Sequence, residues 1–154
     1  MDVRLFWDHG PSPIWAPDPV PEESWHLPEL LTSDLLAWVR DSERNWGAWE
    51  LAGMPDPDPG FARLQEAGTL LAVRLAAALG PDFTVVAADG SRHRGTAEHA
   101  HPEAVSAFQQ IRDAKEEREL RLKTPRPKPG DTVTLPSGRT VSALLGPNTL
   151  HGNV

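Results

Sequence analysis

Three histidines fall within nine residues in the stretch HRGTAEHAHPE, and of all the residues in the chain these have the types best suited to metal chemistry. His93, His99 and His101, with Glu98 and Glu103 beside them, offer imidazole and carboxylate donors of the kind that zinc, nickel and iron accept. A His-x-His pair on a strand would turn both rings to one side. Here the pair runs into Pro102 at an expected helix start, so a polar loop between a strand and a helix is the plainer reading. A metal-dependent enzyme centred on these three histidines is kept as an alternative. Asp8-His9, at the end of an expected strand, is a weaker candidate.

Other catalytic chemistry finds less. There is no cysteine and no G-x-S-x-G, which removes a thiolate nucleophile, a sulfur-based zinc site and a nucleophile elbow. DGSRHRG has neither the spacing nor the following helix start of a phosphate-cradling loop, although Arg92 and Arg94 could meet an anion. Glu22, Glu23, Asp56 and Asp58 sit in proline-rich stretches, where the burial that would raise a carboxylate pKa for general acid work is not expected.

A different signal comes from tryptophan and charge together. All six tryptophans (Trp7, Trp15, Trp25, Trp38, Trp46, Trp49) lie in residues 1–60, which hold twelve acids against three bases and so carry −9. Residues 61–100 balance at four and four, and residues 101–154 carry six acids and eight bases. Repulsion disfavours nucleic acid or an anionic membrane at the first segment, whereas a basic protein would be steered toward it. Tryptophans dominate binding hot spots. Trp15 and Trp25, in a proline-rich acidic loop that a core explains least well, are therefore placed with Asp18, Glu22 and Glu23 as the candidate partner-binding residues.

The elements that would position these groups follow from periodicity. VRLFWD (Val3 to Asp8) predicts a first strand with Val3, Leu5 and Trp7 on one face. The six prolines of HGPSPIWAPDPVPEESWHLPE exclude a ladder or helix interior and predict an ordered or semi-extended loop pinned by Trp15 and Trp25. A helix is expected from about Ser33, capped by Thr32 or Ser33. At about 100° per residue, Trp38, Trp46 and Trp49 share an arc of about 80°, which reads first as a buried stripe. Asp58-Pro59 opens the clearest helix, with Phe61, Leu64, Gly68, Leu71, Leu75 and Leu79 in step and Gly80-Pro81 as its stop. FTVVAA (Phe83 to Ala88) predicts a central strand ending at an Asp89-Gly90 turn. The two strands are expected to be parallel through a right-handed crossover, with an antiparallel pair as the alternative.

A third helix is expected from about Pro102 to Lys123, apolar on one side through Val105, Phe108 and Ile111 and then charged, with Arg112/Glu116, Lys115/Glu119 and Glu117/Arg121 as four-residue pairs. TPRPKPG predicts an extended spacer and DTVTLPSGRTVSALL a β-hairpin. The expected organisation is a single α+β globular domain over residues 1–123, with a small sheet packed against two to three helices, then a Pro-rich spacer over 124–130 and a hairpin and tail over 131–154. At 154 residues such a domain buries enough surface to fold without a disulfide or metal staple. MDVRLFWDHG lacks the basic and apolar regions of a signal peptide, and LLAVRLAAAL is interrupted by Arg74 and is too short to span a bilayer. A soluble cytoplasmic protein is the expectation.

VRLFWDHGPSPIW, LLTSDLLAWVRDSERNW and FARLQEAGTLLAVRLAAALGPDFTVV together resemble a pattern of small acidic proteins from high-GC actinobacteria: a short strand, a tryptophan-bearing helix, a G-x-x-L-A-x-x-L-x-x-x-LG helix and a second strand. Some proteins of that kind resemble immunity partners of secreted toxins. The likeness covers residues 1–90, is one of layout, and transfers no functional residue. It agrees with the charge and tryptophan argument, and the leading expectation is a non-catalytic, immunity- or inhibitor-like protein without a cofactor, engaging a basic protein partner. A second alternative is a phage-type or other structural assembly subunit that docks through its C-terminal helix, spacer and hairpin, a reading that allows a homo-oligomer.

Overall fold

The computed structural model describes residues 1–10 and 12–123, together with the backbone pairing of Thr132–Thr134 and Thr140–Ser142. The chain divides into two compact units, Met1–Ile111 and Arg112–Val154, and the fold is α+β.

In the first unit, β1 (Asp2–Leu5), β2 (Ile14–Trp15), β3 (Thr84–Ala87) and β4 (Arg92–His93) form one sheet in the order β2-β1-β3-β4. β1 and β3 are parallel, with Val3 opposite Val85 and Leu5 opposite Ala87, so the parallel expectation holds. All four of these residues are buried, whereas Asp2 and Arg4 on the alternate positions of β1 are exposed. Alternation of this kind belongs to a sheet covered on one face.

Two helices fill the crossover. α1 (Glu29–Leu51) buries Leu31, Leu35, Trp38, Val39 and Ser42. It starts a turn earlier than Thr32 and Ser33 suggested, because Leu31 continues the apolar stripe backwards and Pro28 accepts the Thr32 N–H at 3.0 Å. α2 (Phe61–Leu79) buries Gly68, Leu71, Leu75 and Leu79 as its spacing required, and Gly80, at φ 71°, ends it. Asp58 and Pro59 form the turn before α2 instead of its first residues, with the Asp58 carboxylate accepting the Gly60 N–H at 2.8 Å.

The proline-rich loop corrects one expectation. A ladder does run through it, at Ile14 and Trp15, two of the three consecutive residues that keep their N–H groups between Pro13 and Pro17; they pair antiparallel with Leu5 and Arg4, while the Ala16 N–H donates to Asp18 O at 2.9 Å. Such edge placement beside prolines is what the missing donors permit. The rest of the loop is held from inside. Ser12 Oγ donates to Val20 O at 2.5 Å and accepts from Ile14 N at 3.2 Å, and Trp25 Nε1 donates to Val20 O at 2.7 Å.

α3 (Pro102–Lys123) begins and ends as expected. Its start completes the first core, with Ala104 and Phe108 buried and the Phe108 ring 6.1 Å from that of Phe83, edge to face. In the second unit, Lys115 and Glu119 lie 3.8 Å apart and Arg121 pairs with Glu117. β5 (Thr132–Thr134) and β6 (Thr140–Ser142) pair antiparallel with Val133 opposite Val141. The spacer, the hairpin turn and the tail lie outside the described residues.

Candidate functional site: an aromatic cavity

Beyond the carboxyl ends of β1 and β3 the chain opens a cavity of about 620 Å3. Phe6, Trp7 and His9 enter it from the end of β1 and Ala88 from the end of β3, while Trp38, Ser42, Asn45, Trp46 and Trp49 come from α1 and Phe61, Leu64 and Gln65 from α2. The ends of parallel strands are where open sheets with crossover helices most often leave a crevice for a ligand. The volume lies in the range of small-ligand pockets, about 300–1,000 Å3.

Each wall residue is held by a specific device. Trp38 Nε1 donates to Leu64 O at 2.9 Å, tying α1 to α2. After α1, Gly53 (φ 83°) and Met54 (φ 55°) turn the chain through left-handed conformations, and Met54 N donates to Trp49 O at 2.9 Å. The turn brings Pro55 O to Trp49 Nε1 at 2.8 Å. Asn45 Nδ2 then donates to Asp58 Oδ2 at 2.8 Å. A β-carbon on Gly60 would overlap the Asn45 side-chain amide, so a larger residue there would push Asn45 off the Asp58 carboxylate.

Trp46 is the hub of the rings. Its centroid lies 4.9 Å from Trp49, 4.6 Å from His9 and 6.4 Å from Trp7, with interplanar angles of 54°, 78° and 62°. Tilted and edge-on contacts are the favourable arrangements for aromatic quadrupoles. His9 reaches between Trp7 and Trp46 from a backbone with φ 51°, a conformation that costs energy for a non-glycine residue and that clusters at functional sites. Trp7 Nε1 is buried without a hydrogen-bond partner among the described residues. The polar side chains in the wall besides the indoles are His9, Ser42, Asn45, Gln65, Asp56 and Asp58, and no lysine or arginine among the described residues lines it.

The residues singled out in the sequence are distributed otherwise. Trp25 is 1% exposed, so its ring anchors the loop and has no face left for a partner, which corrects its placement at a contact surface. Trp15 is half-buried and stacks on Phe6 at 5.1 Å, one residue removed from the cavity wall. Asp18, Glu22 and Glu23 are exposed on the loop. The helix tryptophans expected as a core stripe divide: Trp38 is buried, while Trp46 and Trp49 are half-buried in the cavity wall. Their shared arc was legible in the sequence, but the void opposite it depends on the loop over residues 52–60.

The histidines are held separately. His93 Nε2 lies 2.9 Å from Ser91 Oγ, His99 Nδ1 lies 3.1 Å from Thr96 Oγ1, and His101 Nδ1 is buried without a partner among the described residues. Among the described residues no group of three His, Cys, Asp or Glu side chains is placed to hold a metal ion. Ser91 Oγ also lies 2.6 Å from Asp89 Oδ1. A serine has one proton to give, so with the carboxylate as its acceptor the imidazole must be the donor to Ser91. That direction holds the turn together and does not activate the hydroxyl. The hydrogen bonds from the Ser91 side chain and backbone hold the Asp89 carboxyl below the ordinary aspartate value of 3.8.

No described helix is long and apolar enough to cross a membrane. Comparison with known proteins finds no family, no characterised relative and no solved structure that matches this chain.

Proposed function

We propose that this chain is a non-catalytic binding protein, immunity- or inhibitor-like, that engages a basic protein partner through its acidic, tryptophan-bearing N-terminal region, with the aromatic cavity as the centre of recognition. The observation that carries the reading is the wall itself: half-buried Trp46 and Trp49 with exposed Phe61, lined by carboxylates and, among the described residues, by no lysine or arginine. Tryptophan in a partly desolvated pocket is the usual anchor of a protein interface, and the charge of −9 over residues 1–60 would attract and orient a basic partner. Asp18, Glu22 and Glu23 belong to this field as steering charges, and Trp15 supports the wall through Phe6. The likeness of layout to immunity-type proteins agrees with this reading, and a cytoplasmic location is proposed with it.

The test is capture from a lysate of the native host on the immobilised full chain, in parallel with Trp46→Ala and Glu22→Gln/Glu23→Gln variants. One basic protein should be retained by the parent chain, lost with Trp46→Ala, and retained less as salt rises, because exposed charges are screened. Equal retention by Trp46→Ala would reject the cavity as the site.

A further inference from the structure

We propose that the cavity is a cage for a cationic side chain, and that its occupant is an arginine of the basic partner; this rests on the reading of the cavity as the recognition site. Three features of the wall converge on that chemistry. First, the electropositive N–H edges of two indoles are already used within the protein, Trp38 Nε1 on Leu64 O and Trp49 Nε1 on Pro55 O, so what these rings have left to offer is their carbon surface. The faces of indole rings carry the negative part of the quadrupole and attract cations.

Second, Trp46 is inclined to Trp49, to Trp7 and to the His9 imidazole by 54°, 62° and 78°. A set of inclined rings around one void contacts a cation from several sides, which is the geometry of an aromatic cage. Third, the cavity lining carries exposed Asp56 and half-buried Asp58 and, among the described residues, no lysine or arginine. Asp58 is committed to Asn45 and to the Gly60 N–H, which leaves Asp56 as the carboxylate positioned to meet a ligand's charge. A guanidinium is planar, stacks on aromatic faces and forks onto a carboxylate, and it surrenders its hydration more readily than an ammonium. Arginine therefore fits this combination better than lysine.

The experiment titrates the full chain with N-acetyl-arginine methylamide, its citrulline and lysine counterparts, and choline, following the tryptophan indole N–H resonances. Citrulline keeps the shape of arginine and removes the charge. The expected result is binding of the arginine probe roughly 10-fold tighter than the citrulline probe, tighter than lysine, weakened by Asp56→Asn and lost with Trp46→Leu. Citrulline binding as well as arginine would overturn the cage in favour of a neutral apolar pocket. Choline binding more tightly than arginine would overturn the partner as the source and assign the site to a free quaternary ammonium. No binding by any probe would overturn the cage outright. Capture of the partner by Trp46→Ala reports separately on the recognition reading, so either can fail alone.

Discussion

Trp38 lies so close to Gly68 that a β-carbon on Gly68 would sit 2.8 Å from Trp38 Cζ2, while its indole N–H donates to Leu64 O, one turn earlier on the same helix, at 2.9 Å. The ring thus locks α1 to α2 by shape and by hydrogen bond at once, in the wall of the cavity. Gly68→Ala should gain about 1 kcal/mol of helix propensity and lose about 1–3 kcal/mol to overpacking against a buried ring. A net destabilisation is expected in urea unfolding. Combining it with Trp38→Phe, which removes the clashing part of the indole, should cost less than the sum of the two single changes.

Two tryptophans of the wall predict opposite ledgers. Trp38→Phe breaks a made hydrogen bond and leaves the Leu64 carbonyl unpaired, a cost of about 1–3 kcal/mol beyond the lost ring volume. Trp7→Phe removes a buried N–H that has no partner among the described residues, so it should cost clearly less for the same change in side chain. Chemical unfolding of the two variants side by side checks the order.

The loop that closes the cavity depends on Asn45 and Asp58. Asn45→Ala removes the 2.8 Å bond to Asp58 Oδ2 and should cost about 1 kcal/mol. Its larger effect should be on binding, because the loop carrying Pro55, Asp56 and Pro57 loses an anchor to α1. Calorimetry against the captured partner, with urea unfolding in parallel, separates the two.

His9 fills the space between Trp7 and Trp46 from a left-handed backbone. Asparagine accepts that backbone better than most residues, so His9→Asn should keep the turn and lose only the ring contacts, about 0.5–1.5 kcal/mol, while loosening the Trp46 ring and weakening partner binding. Unchanged affinity would show that the imidazole is not part of the wall that matters.

At the turn between β3 and β4, the depressed Asp89 pKa has a definite sign. Its folded value lies below the unfolded one, so the contribution of Asp89 is present above the unfolded value and fades as pH falls through the folded value. Carboxyl titration by NMR should place Asp89 below 3.8 in the parent chain and return it part of the way toward 3.8 in Ser91→Ala, which removes the side-chain hydrogen bond that leads the causes and keeps the backbone one.

The sequence made some of this plain and hid the rest for physical reasons. α2 and α3 were legible because their apolar residues keep one helical face and one boundary of each is explicit, the Gly80-Pro81 stop of α2 and the Pro102 start of α3. β2 was hidden because six prolines dominate its surroundings, and two residues with N–H groups are too few to register as a period. The arc of Trp38, Trp46 and Trp49 identified a face and not what opposes it. A closed core and an open cavity demand the same spacing on α1, and the difference lies in the Gly53-Met54 turn and the Asn45–Asp58 bond, both contacts of conformation and not of pattern. Trp25 misled for the converse reason: an acidic, proline-rich setting looked like surface, yet its indole found the Val20 carbonyl and the core.

The most direct test of the cavity as the recognition site is photo-crosslinking in the native host with p-benzoylphenylalanine at Phe61, a cavity residue 60% exposed, and at Glu23 on the proline-rich loop as the comparison. The account predicts one adduct from position 61 whose added mass belongs to a single basic protein. An adduct from position 23 with none from position 61 would contradict it and return the contact surface to the loop.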